Sequence, residues 1–247
     1  MKTRNYFLIL VLLLSPLFAF AEPEVPNEYV KIFKKSHKLE KKKAAESLAW
    51  AGISSPELFD LIEKDVLDTY KTASTKASID FTGWMIKALA FSGNEKYKPT
   101  LEKVKLDATH KKTKKYAVWA LKNIESYKLY NPLIAPKPWP SSKHPTLNQR
   151  LQNMLNSGNF ELMRIAAKRI HHKQNYDDGL LELALSKISS LAATADDKLS
   201  VDTAAWLCKA VAGSGREQYK ASIEDVGLNA KHRKLRNYAK RYLKQYY

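Results

Sequence analysis

Apolar residues recur three and four positions apart along most of this chain, and nowhere does a two-residue alternation persist. In YAVWALKNI, the residues Tyr116, Ala117, Ala120, Leu121 and Ile124 fall on one helical face. Tyr238, Ala239, Tyr242, Leu243 and Tyr246 repeat that stripe near the C-terminus. GWMIKALAFSG and AAWLCKAVAGSG are short, almost wholly apolar stretches that stop at a glycine, the residue that a left-handed helix cap favours. The pattern predicts helices near 28–36, 38–51, 55–71, 78–92, 95–106 and 110–126. It predicts a second set near 148–156, 159–172, 177–193, 199–213, 217–227 and 231–246, and no strands.

The two sets are copies. Residues 83–125 align with 205–247 at a constant offset of 122, with 19 of 43 positions identical and no gap. Among the identities are Trp84/Trp206, Lys87/Lys209, Tyr97/Tyr219, His110/His232 and Tyr116/Tyr238. Upstream the match is fainter, with Ala44-Ala45 on Ala166-Ala167 and Leu58 on Leu180. Between the copies, YNPLIAPKPWPSSKHP holds five of the ten prolines, so a non-helical connector is expected there. The expected organisation is a first half at 22–127, a proline-rich connector at 128–149 and a second half at 150–247. Helices of this length joined by short turns cannot bury their apolar faces alone, and they stack as hairpins.

ATHKKTKKYAVWALKNI and AKHRKLRNYAKRYLKQY resemble the second helix of HEAT-like repeats, and GNEKYKPTLEKVKLD resembles the matching first helix. The resemblance implies an all-α, HEAT-like α-α superhelix (a solenoid) of about twelve helices in two duplicated halves. It further implies a scaffold or binding surface more than any particular chemistry.

The ends and the charge say where such a surface works. Lys2 and Arg4 precede the apolar run FLILVLLLSPLFAF, and Ala19-Phe20-Ala21 has the small-x-small form of a signal-peptidase site. Residues 1–21 are therefore expected to be a signal peptide cleaved near Ala21-Glu22. That leaves no membrane span and places the protein in the periplasm, with release to the medium as the alternative. The formal charge of +17 falls, without Lys2 and Arg4, to +15. Outside the cytosol nucleic acid is not the expected partner, so that excess points to acidic proteins or to anionic envelope components.

The candidate surface is the basic cluster that opens the last helix of each copy. Lys111, Lys112, Lys114 and Lys115 follow His110; Lys231, Arg233, Lys234, Arg236, Lys240 and Arg241 surround His232. Cations at a helix start oppose the helix dipole, so helix propensity does not explain them. Equivalent helices of a solenoid stand side by side, which lets such positions build a basic stripe. The leading expectation is a non-catalytic scaffold that binds an acidic protein or peptide there. The alternative is a binder of lipid head groups, lipopolysaccharide or acidic glycan.

Conventional enzyme signatures are lacking: there is no glycine-rich phosphate loop, G-x-S-x-G or C-x-x-C. No catalytic residue, cofactor or metal is expected. The remaining catalytic option is an enzyme using His110 and His232. His171-His172 with Asp177-Asp178 lack zinc-enzyme spacing and read as a surface helix end. Tyr238, Tyr242 and Tyr246 read as a core seam, and Cys208 as a buried, inert thiol.

Overall fold

The computed structural model describes residues 25–138 and 143–247. The expected signal peptide and its cleavage site lie outside these described residues. Twelve α-helices follow one another, with no strand among the described residues. The first half contains α1 (Pro26–Lys35), α2 (Lys38–Ser47), α3 (Pro56–Thr69), α4 (Lys76–Phe91), α5 (Lys98–Asp107) and α6 (Lys111–Ile134). The second contains α7 (Leu147–Asn156), α8 (Phe160–His172), α9 (Asp178–Thr194), α10 (Lys198–Ala212), α11 (Lys220–Asn229) and α12 (Arg233–Tyr246).

Local chemistry sets the helix starts. Thr75 and Thr146 close capping boxes with Ser78 and Gln149, and Asn159, Asp177 and Asp197 each accept a backbone N–H one turn in. The two expected glycine turns are present: Gly93 has φ +63° and Gly215 has φ +64°. Gly93 is constrained twice, because a Cβ there would stand 2.5 Å from the backbone nitrogen of Lys128.

Each odd-numbered helix leans on the even-numbered helix that follows it. Helices α2, α4 and α6 pack side by side, as do α8, α10 and α12. Buried alanines such as Ala44, Ala88, Ala117, Ala166 and Ala204 allow this close approach, and the layer curves inward. The curve is tight enough to bring Trp50, at the end of the 3₁₀ turn after α2, against Arg169 of α8. This is the all-α solenoid that the sequence pattern predicts.

The duplication is visible in matched bonds. The Tyr97 hydroxyl donates to Asp60 Oδ1 at 2.8 Å, and the Tyr219 hydroxyl to Glu182 Oε1 at 2.9 Å. Lys42 pairs with Asp80, and at the same offset Arg164 pairs with Asp202 at 2.7 Å.

One expectation is corrected. The stretch expected to be non-helical, 130–145, is helical at its start: α6 runs through Tyr130, Asn131 and Pro132 to Ile134. A proline inside a helix costs roughly 3 kcal/mol, and tertiary contacts outweigh it here. The Asn131 side-chain amide donates to the carbonyls of Phe91 at 2.9 Å and Ser92 at 3.1 Å, tying α6 to the end of α4. Ile134 is fully buried in the second-half core, while Tyr130 packs against both cores. The extra turns of α6 join the halves.

Candidate functional site

The structure gives the basic clusters mixed roles. His110 and His232 are the N-caps of α6 and α12, their Nδ1 atoms accepting the backbone N–H of Lys112 at 3.1 Å and Lys234 at 3.2 Å. Lys114 reaches back to the Leu106 carbonyl at 2.7 Å, and its counterpart Arg236 donates to the carbonyls of Ala230 and Lys231. These repeated residues latch each last helix to the loop before it. Lys231 pairs loosely with Asp196 at 3.5 Å. Lys111, Lys112, Arg233 and Lys240 are exposed, and Lys234 and Arg241 lie over the Tyr238 ring at 5.7 and 4.9 Å. The Tyr238 and Tyr242 rings stack at 6.1 Å, with Tyr242 buried against the core. Lys115 alone of the clusters enters the cleft described next.

Where α6 and α8 face each other across the junction of the halves, the inner layer opens into a cleft of about 600 Å³. Its walls are chiefly aromatic: Trp50 comes from the turn after α2, Trp84 and Phe91 from α4, and Tyr116, Trp119, Tyr127 and Tyr130 from α6. Lys168, Arg169 and His172 of α8 close the far side. This matches the ordinary form of a small-ligand or side-chain pocket, mostly apolar with a few convergent polar groups.

Lys87 occupies the middle of the aromatic wall. Its ammonium lies 4.4 Å from the Trp84 ring centroid, 4.9 Å from Tyr116 and 6.0 Å from Trp119. Burial lowers its pKa, against a smaller opposing pull from Asp80 and Glu46. Asp80 is already paired with Lys42, so Lys87 has aromatic faces around it and no carboxylate in ion-pair contact. Lys168 is in a similar position. Burial, then the neighbouring Arg164, lowers its pKa, and the carboxylates that oppose this, Asp202 and Glu161, are both held by Arg164. Every described tryptophan carries a cation over its ring: Arg169 over Trp50 at 4.9 Å, Lys87 over Trp84 and Trp119, and Lys168 and Lys209 over Trp206 at 5.0 Å.

Sequence reasoning missed this cleft. Trp84/Lys87 and Trp206/Lys209 are identical between copies and three residues apart, hence on one helix face, and that was the available signal. Nothing local to the sequence brings Trp50 and Trp119 to the same place.

Other sequence candidates resolve into structural roles. Asp177 caps α9 and Asp178 pairs with Arg216, so neither stands with His171-His172 as a ligand. Among the described residues no group of histidine, cysteine and carboxylate side chains is placed to hold a metal. No described helix is long and apolar enough to cross a membrane. Burial pushes the Cys208 thiol up to about 12.

No family model and no curated protein matches the chain. Among solved structures it is similar to human deoxyhypusine hydroxylase in complex with glycerol, at 13% identity over 88% of this chain and 83% of that chain, with a TM-score of 0.32. A likeness at that score carries no argument about chemistry.

Proposed function

We propose that this chain is a non-catalytic binding protein of the HEAT-like kind, exported to the periplasm, that takes an acidic protein or peptide partner in its aromatic cleft. The observation that carries this reading is Lys87, an ammonium half-buried among three aromatic rings with no carboxylate in ion-pair contact. A partner carboxylate placed there meets a cation that is partly desolvated, where an ion pair is screened less than on an open surface. Beside it the walls accept an apolar side chain, whose full burial is worth roughly 1.5–3 kcal/mol.

The cleft favours a peptide over an acidic glycan or a lipid. Sugars need several free planar hydrogen-bonding groups, and two of the few in the lining are engaged: the Asn123 amide nitrogen donates to the Trp119 carbonyl at 2.6 Å and Glu161 is held by Arg164 at 2.7 Å. An acyl chain would suit aliphatic walls, and Ile165 and Ala49 are the only such side chains in the lining. The clusters at the starts of α6 and α12 then serve as flanking positive charge that speeds encounter.

Affinity capture of a defined partner from envelope extract tests the reading. Lys87→Gln and Trp84→Ala should lose it, while Lys111→Gln with Arg233→Gln should mainly increase its salt sensitivity. Retention of the partner by both cleft variants, or binding to anionic liposomes that competes with it fully, overturns the proposal.

A further inference from the structure

The 122-residue offset carries the walls of the cleft onto a second set of residues. Trp84, Lys87 and Tyr116 map unchanged onto Trp206, Lys209 and Tyr238. Three other walls gain a base or a histidine, with Glu46 on Lys168, Trp50 on His172 and Trp119 on Arg241, while Lys115 falls on Asn237. An acid and two tryptophans in the first copy are thus replaced by two cations and a histidine in the second.

Two of these replacements, Lys168 and His172, stand around Trp206, whereas Arg241 lies over the Tyr238 and Tyr242 rings. Lys168 and Lys209 each stand 5.0 Å from its ring, the His172 ring lies 5.4 Å away and the His171 ring 6.2 Å away. Neither lysine has a carboxylate in ion-pair contact among the described residues. His171 Nδ1 is buried with no hydrogen-bond partner. Gly213 makes the room for that ring, since a Cβ there would stand 2.8 Å from His171 Nδ1. Lys168 and His172 line the aromatic cleft as well, so α8 belongs to both sites and the two are one groove.

We infer that this groove is polarised, its first-copy half built for an aromatic or aliphatic side chain beside the Lys87 ammonium and its second-copy half for further carboxylates, so that the partner is a peptide segment with an apolar residue next to an acidic run. The inference rests on the acidic-partner reading above and adds a second anion subsite centred on Trp206. Two linked contacts of this kind bind more tightly than either alone, because the second forms within the complex.

The charge around the histidines gives the subsite a further signature. Facing His171 are His172 on its own helix, Trp206 and Lys209 of α10, Tyr246 of α12, and Tyr176 before α9. Facing His172 are Lys168, Lys173, Lys209 and Trp206. Burial first, and the lysines next, hold both imidazoles below their ordinary pKa. Carboxylates docked among them offset the charge of the lysines and favour the imidazolium forms, so binding takes up protons and tightens as pH falls through the histidine range.

Synthetic peptides with one phenylalanine beside four glutamates, with the glutamates replaced by glutamine, and with the phenylalanine replaced by alanine test this by calorimetry on the purified protein. Lys168→Gln with Lys209→Gln should weaken the glutamate peptide about tenfold or more, the ratio set by roughly 1.4 kcal/mol, and leave the glutamine peptide unchanged. Trp84→Ala should weaken both of those and spare the alanine peptide. Wild-type affinity for the glutamate peptide should rise from about pH 7.5 to about pH 5.5, and His171→Asn with His172→Asn should flatten that rise. If Lys87→Gln weakens binding while Lys168→Gln with Lys209→Gln does not, the second subsite is wrong and the acidic-partner reading stands. If no cleft variant matters, both are wrong. Tighter binding of alginate than of the glutamate peptide, with the same dependence on Lys168 and Lys209, overturns the peptide as occupant. Circular dichroism of each variant checks that it is folded.

Discussion

Replacing Gly83 by alanine sets helix propensity against packing in a measurable way. Gly83 lies inside α4 with ordinary helical geometry, so propensity alone predicts that alanine stabilises by roughly 1 kcal/mol. The structure predicts otherwise. A Cβ at Gly83 would stand 2.4 Å from Cε2 and 2.6 Å from Cδ2 of Tyr116, about 1 Å inside ordinary contact. The ring must move, and overpacking of this kind costs about 1–3 kcal/mol. The net change should therefore lie between neutral and roughly 2 kcal/mol destabilising, or a fall in Tm of about 2–4 °C per kcal/mol for a chain of this size. Tyr116 also leaves its place 4.9 Å from Lys87, so peptide binding in the cleft should weaken. The decisive measurement is a double-mutant cycle by thermal denaturation. In a Tyr116→Ala background Gly83→Ala should become stabilising, giving a coupling of about 1–3 kcal/mol. The second copy shows the other solution: Ala205 takes the glycine's place, and the Tyr238 ring stacks along its own helix on Tyr242. Coupling within the roughly 0.5 kcal/mol expected of independent sites would refute the argument.

Other consequences follow from single groups. Asn131→Ala removes the donor to the Phe91 and Ser92 carbonyls and should destabilise by about 1–3 kcal/mol, with hydrogen exchange rising first in 128–134; unchanged protection there would show that α6 holds without the clamp. Because the folded pKa values of His171 and His172 are depressed, the unfolded chain binds more protons below about pH 6.5. Stability of the free protein should be fully present above that value and fall as pH drops through the folded values, and His171→Asn with His172→Asn should remove that part of the slope in denaturant titrations. Cys208, fully buried with its thiol pushed up to about 12, should resist iodoacetamide at neutral pH and react at the rate of global unfolding; rapid labelling of the native protein would contradict its burial.

The helical pattern was legible because each apolar stripe is written at local spacing. Tyr116, Ala117, Ala120 and Ile124 define a face whatever packs on it, and the glycine at 93 marks a turn that no side chain makes easily. The end of α6 was not legible. Pro132 and its neighbours carry the local signature of a connector, and only the contacts of Asn131 with α4 and of Ile134 with the second core keep that turn helical. The basic clusters show the same divide. Charge at the starts of α6 and α12 stands out in the sequence, yet Lys114, Arg236, His110 and His232 spend it on holding their own loops and helix ends.

By itself, the sequence determined the helices, their duplication at an offset of 122, and the excess of positive charge, since all three depend on residue type and on spacing along the chain. The tertiary structure decided where that charge lacks a partner. The repeat marks Lys87 and Lys209 beside their tryptophans but not their want of a carboxylate, Lys168 carries no mark, and Trp50, Trp84 and Trp119 come from three separate segments. Curvature of the inner layer brings the three tryptophans, Lys87 and Lys168 to one cleft, partly removes water from those two ammonium groups, and gives the neighbouring carboxylates to Lys42 and Arg164 instead. Desolvation and pairing are properties of neighbours in space, so no reading along the chain could have assigned them.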